Sequence, residues 1–250
     1  MEWNFDSTKG DVFVRFMDGA RTNVAYNCLE RNIKRGYGSR IAYLWEGNEP
    51  GDSSSITYQE LLDRVITFSA VLRSRDVRKG DVVAIYLPMI LELPVAMLAC
   101  ARIGAVHSVV FAGFSADSLC CRLLQANARV LVTCDGFFRG KKLIPVKSIA
   151  DAATTACSQQ GGQVDSVIVV RHLGRVRHVA VDIPQFEYDG SKIFFDEEMA
   201  RFKGTKSPVE WTEAEEPLFI LYTSGSTGKP KGVVHTTAGY MVYSYATTKF

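Results

Sequence analysis

VVAIYLPMILELPVAMLACARIGAVHSVVF, residues 82–111, decides how the chain folds. It opens and closes on short apolar runs, 82–87 and 106–111, that show no polar alternation. A strand without alternation has both faces covered, the mark of a parallel sheet under helices. Between the two runs, residues 91–102 read as a helix that ends at Gly104. Strand–helix–strand crossovers are right-handed, so a sheet covered on both faces follows.

The same rhythm continues outward. Ser115 caps a helix that runs to about Ala126, 129–134 is a strand, 147–159 a helix and 165–170 a strand. Upstream, Thr57 with Glu60 three residues on makes a capping box. Leu61, Val65, Phe68 and Leu72 recur on one face of that helix, and Lys79 and Gly80 close it. Residues 41–45 can form a strand, and EGNEPGDSSS after them is a loop by composition. The expected fold class is α/β, with doubly wound, mostly parallel sheet layers. The chain divides into an irregular segment 1–55, a sheet subdomain 56–171, an exposed connection 172–210 and a final stretch 211–250.

Composition narrows the function classes. Of 250 residues, 47% are hydrophobic and 22% charged, so a sizeable core is expected and disorder is not. A net charge of +2 carries no clustered basic footprint for nucleic acid. Six cysteines form no CxxC pair and no zinc-ligand spacing, and Cys100, Cys120 and Cys134 sit in apolar contexts. They read as reduced thiols. The N-terminus lacks the apolar region of a secretory signal. The longest apolar stretch, 87–101, is broken by Pro88, Glu92 and Pro94 and is too short to cross a membrane. A soluble, cytoplasmic protein is expected.

The chemistry concentrates in YTSGSTGKPKG, residues 222–232, directly after an apolar strand at 218–223. Ser224, Ser226 and Thr227 offer hydroxyls. Gly225 and Gly228 let the backbone turn sharply and approach a ligand. Successive backbone N–H groups in such a turn form an anion nest, and Lys229 and Lys231 add positive charge. VVHTTAGYMVYSYATT reads as the start of a helix, whose N-terminal dipole would reinforce the nest. Two residues separate Gly225 from Gly228 and Pro230 follows Lys229, so this is not a Walker loop.

YTSGSTGKPKGVVHTT resembles the phosphate-binding signature of the adenylate-forming superfamily, which includes acyl-coenzyme A synthetases and luciferases. NVAYNCLERN, YLWEGNEPG, MLACARIGAVHSVVFAGFSADSL and PVEWTEAEEPLFIL are similar to the acetyl-coenzyme A synthetase family. MEWNFDSTKG is most similar to its cytosolic animal members. The resemblance weakens between 171 and 206.

The resemblance implies an AMP-forming acetate–coenzyme A ligase, with ATP and its Mg2+, coenzyme A and acetate as substrates. It places Thr223, Ser224, Gly225, Ser226, Thr227, Gly228, Lys229 and Lys231 on the β- and γ-phosphates of ATP. It places Arg139, Gly140, Lys141 and Lys142 of DGFFRGKKLIPVK around the 3′-phosphate of coenzyme A. Read alone, RGKK is only a basic surface loop. Gly113 of FAGFS would pass close to the coenzyme; read alone, it is a turn before the Ser115 cap. The family is far longer than this chain. Its acetate pocket, adenine contacts, magnesium-binding acid, hinge and lid lysine have no counterpart here, so no catalytic or metal-binding residue is assigned. An N-terminal portion of the large domain is therefore expected, incomplete in its sheets and without turnover by itself. A non-catalytic binding module, or pairing with a full-length enzyme, is the alternative.

His107 lies in a strand and reads as a satisfied core residue; His172 and His178 fall in the irregular connection, and His235 is given no chemistry. Asp196, Glu197 and Glu198 read as the solvated face of an exposed helix.

Overall fold

The computed structural model describes residues 2–176, 192–223 and 228–250. Its N-terminal residues form short strands and helical turns. A hairpin follows, β1 (Ile41–Glu46) and β2 (Ser53–Thr57), paired antiparallel. The EGNEPGDSSS stretch is therefore not all loop, since Ser54 pairs with Trp45 and Ser55 with Leu44.

Helix α1 (Tyr58–Ser74) begins at the expected capping box. The Glu60 N–H donates to Thr57 Oγ1 at 3.2 Å, and the Thr57 N–H donates back to the Glu60 carboxylate at 2.8 Å. The helix ends earlier than Lys79. Asp76 takes a positive φ of 59° just after Ser74 and turns the chain there.

Among the described residues the central layer has seven strands. In chain order, β3 (Val82–Tyr86), α2 (Glu92–Arg102), β4 (Val106–Val109) and α3 (Ala116–Ala126) come first. Next come β5 (Ala128–Cys134), a small hairpin of β6 (Phe137–Arg139) and β7 (Lys142–Ile144), α4 (Val146–Gln159) and β8 (Ser166–Val170). Then follow β9 (Lys192–Phe194), α5 (Phe195–Arg201), β10 (Pro217–Thr223), β11 (Lys231–Thr236) and α6 (Thr237–Lys249). The sheet order is β9-β8-β5-β3-β4-β10-β11. Every neighbouring pair is parallel except β10 with β11.

The winding follows from this order. From β3 to β4 the chain steps one way across the sheet; from β4 to β5 and on to β8 it steps the other way. Right-handed crossovers then put α2 on one face and α3 and α4 on the opposite face. The pairs α1 with α2 and α3 with α4 pack accordingly. Between the layers, Phe68, Val83, Ile85, Ala96, Leu123 and Leu131 are buried in one continuous core. Cys100, Cys120 and Cys134 lie in it, as their apolar contexts predict.

Two further expectations change. Residues 233–236 are not helix: they belong to β11, which folds back on β10, and the helix starts only at Thr237. Its two valines, Val233 and Val234, are adjacent and the strand is too short to separate the two periods by sequence. The acidic run on α5 is not one solvated face either. Glu198 is buried and pairs with Arg75 at 2.9 Å, because Phe195 packs its ring 4.7 Å from that of Phe68 and turns the helix inward. Asp196 and Glu197 both engage Arg171.

Candidate functional site

Parallel sheets of this winding bind ligands outside the carboxyl ends of their strands, near the point where the strand order reverses. That reversal lies between β3 and β5. Here the loops after β3, β4, β5 and β8 converge on a cavity of about 330 Å³. Its walls include Trp45, Pro88, Phe111, Phe138, Arg139 and His172.

The basic stretch is not a plain surface loop. Arg139 and Lys142 face each other across the β6–β7 hairpin, leaving Gly140 and Lys141 as a two-residue turn. Gly140 has a φ of +56°, at the first turn position, where tight hairpins call for glycine. The turn thus lifts the cations out of the sheet. Arg139, Lys141 and Lys142 are exposed and have no carboxylate partner among the described residues.

Gly113 and Arg139 stand 26 positions apart in sequence, yet the structure brings them together. A methyl group on Gly113 would lie 2.8 Å from Arg139 Nη2 and 2.4 Å from the Phe111 ring. The Arg139 guanidinium carbon sits 5.3 Å from the centroid of that ring. Gly113 is therefore the floor on which the guanidinium rests.

The expected phosphate loop leaves the same edge of the sheet, since β10 runs parallel to β4. It joins Thr223 to Lys231, which are paired across β10 and β11. Gly228 has a φ of +78° with open space around it, and Lys229 and Lys231 are exposed. Ser224, Gly225, Ser226 and Thr227 lie outside the described residues, as does His178. The expected helix dipole does not serve this loop. The helix begins at the far end of β11, capped by Thr236.

Three contacts were not anticipated. The Arg122 guanidinium carbon lies 4.6 Å from the Phe114 ring and 5.5 Å from the Tyr222 ring. It joins the FAGFS turn to the strand that feeds the phosphate loop. The signal was an arginine inside the apolar stripe of α3, between Leu119 and Leu123. Tyr86 donates its hydroxyl to the Phe114 carbonyl at 2.6 Å, and burial pushes its pKa up to about 12, so it stays a donor. Buried Asp135 accepts the backbone N–H groups of Gly136, His172 and Leu173 at 2.8, 2.9 and 3.1 Å. It ties the ends of β5 and β8 together.

His107 departs from expectation in one respect. His107 is buried and stacked on Phe219, with centroids 5.4 Å apart, but its Nδ1 has no partner among the described residues, so it is not fully satisfied. Burial pushes its pKa down to about 4. His172 is also buried, and that burial lowers its pKa against the pull of Asp135 and Glu92. His235 stacks on Phe219 at 4.4 Å.

The chain is similar to known proteins along its whole length. The chain is 51% identical over 255 residues to acetyl-coenzyme A synthetase of Drosophila melanogaster, covering 100% of this chain and 38% of that protein. It is 47% identical to the chloroplastic/glyoxysomal acetyl-coenzyme A synthetase of Arabidopsis thaliana, covering 99% and 33%. The solved acetoacetyl-CoA synthetase from Streptomyces lividans superposes with a TM-score of 0.75 at 27% identity, covering 92% of this chain and 32% of that one. The chain thus spans little more than a third of the length of the curated relatives it matches. The profile of the AMP-binding enzymes matches residues 29–250, and the chain belongs to that family.

Proposed function

We propose that this chain is the phosphate-gripping portion of an AMP-forming acetate–coenzyme A ligase. The observation that carries the reading is Arg139 resting on Gly113, at the strand ends that also carry the phosphate loop. In the reaction, an acetate oxygen attacks the α-phosphorus of ATP and pyrophosphate leaves. The coenzyme A thiol then attacks the acetyl carbonyl, and AMP leaves. Both steps gain from fixed donors aimed at phosphate oxygens.

Thr223, Ser224, Gly225, Ser226, Thr227, Gly228 and Lys229 hold the β- and γ-phosphates, with Lys231 at the base of the loop. Arg139, Gly140, Lys141 and Lys142 take the 3′-phosphate of coenzyme A, and Gly113 gives the coenzyme room. Arg139 offers a planar fork to phosphate, whereas the lysines act as point charges. Among the described residues no group of three or more His, Cys, Asp or Glu could hold a metal. Mg2+ enters with ATP as its substrate complex. No helix of the described residues is long and apolar enough to cross a membrane. The proposed location is cytoplasmic.

The isolated chain is proposed to bind without turning over, alone or paired with a full-length enzyme. The test is acetate-dependent exchange of labelled pyrophosphate into ATP, with circular dichroism as a check of folding. A folded chain without exchange supports the reading; exchange would show that these residues suffice for adenylation and overturn it.

A further inference from the structure

The basic turn is a weak element by itself. Each strand of its hairpin has three residues, and a two-stranded ribbon of that size is marginal in water. Its tip carries like charges that repel one another. Something must hold it over the cavity mouth.

The holder comes from a different hairpin, 92 positions away in sequence. Asn48 Nδ2 donates to the Gly140 carbonyl at 3.1 Å, and the Gly140 N–H donates to Asn48 Oδ1 at 3.0 Å. One side-chain amide thus reads both polar groups of one residue, as a neighbouring strand would. The β1–β2 hairpin that presents Asn48 is itself anchored. The Trp45 indole N–H donates to the Met89 carbonyl at 2.7 Å, in the loop after β3. Inside the β1–β2 turn, the Gly47 N–H donates to the Asp52 carbonyl at 2.5 Å. A path of two hydrogen-bonded contacts, joined by the backbone of residues 45–48, runs from the loop after β3, through Trp45 and Asn48, to the turn that bears Arg139.

We propose that Asn48 is a positioning residue for the 3′-phosphate of coenzyme A, acting through Gly140 rather than by touching the ligand. The proposal rests on the coenzyme A reading of that turn. It explains why an exposed asparagine, whose Nδ2 also donates to Glu49 Oε1 at 2.7 Å, engages both polar groups of a glycine peptide. Removing the clamp frees the turn, and the ordering it loses must then be met on binding, which lowers affinity.

The experiment is calorimetric titration of the full chain with coenzyme A and with 3′-dephospho-coenzyme A. It compares wild type, Asn48→Ala, Arg139→Ala and the double variant. Asn48→Ala should weaken coenzyme A about fivefold and leave the dephospho form unchanged. The double variant should bind no more weakly than Arg139→Ala alone, because both changes act on one contact. Amide exchange at Gly140 should accelerate in Asn48→Ala with or without ligand. Equal loss for both ligands would mean that Asn48 touches the coenzyme directly and would overturn the proposal. So would unchanged affinity in Asn48→Ala beside a wild type that binds. A wild type that takes up no coenzyme A overturns the functional reading itself, which the wild-type titration reports separately.

Discussion

Gly113 shows how much one missing side chain can decide. A methyl there would meet an arginine tip and an exposed phenyl ring, both of which can move. Gly113→Ala is therefore expected to fold with nearly the wild-type melting temperature while displacing the guanidinium of Arg139. Coenzyme A affinity should fall several-fold, on the order of 1 kcal/mol. A titration beside a thermal melt separates the two effects, and a large loss of stability with intact affinity would contradict the account. His107 carries a different prediction. Its folded pKa, about 4, lies below the ordinary 6.5, so the unfolded chain binds the proton more readily. Stability is whole above pH 6.5 and falls as the pH drops toward 4, by about 3 kcal/mol in total. His107→Leu should flatten that slope in urea titrations at pH 7 and pH 4.5. Some slope should remain, because His172 is shifted in the same direction.

At the scale of elements, most of what the sequence carried was local. The Thr57–Glu60 box, the Ser115 cap and the unbroken apolar strands each rest on residues a few positions apart, and each was legible. What stayed hidden depends on partners far along the chain. The β6–β7 hairpin looked like a basic loop because its strands are three residues long. β11 looked like helix because only its pairing with β10 settles the period. Glu198 looked solvated because Phe68 and Arg75, which draw it inward, lie more than a hundred positions away. Of the candidate site, the glycines and cations were legible as types, whereas the meeting of Gly113 with Arg139 was not. The same edge of the sheet yields a prediction. Among the described residues β11 has a neighbour on one side only, and Val233 and Val234 are 44% and 54% exposed. An open apolar edge invites pairing with another chain. Val234→Lys should lower light scattering on incubation while leaving the far-ultraviolet dichroism unchanged; undiminished scattering would place the association elsewhere.

Across the whole molecule, the two proposed phosphate grips are far apart in sequence but share one rim. Arg139 follows β5 and the phosphate loop follows β10, and parallel strands deliver both to the same side. That shared direction has a practical side. The turn after α4, where Gly161 is exposed with a φ of +82°, enters β8 at its amino end, on the opposite rim. A fluorophore or surface tether fixed there would leave both mouths facing bulk solution. The molecule thus comes with a front and a back, and an immobilised sensor could be oriented by its topology alone.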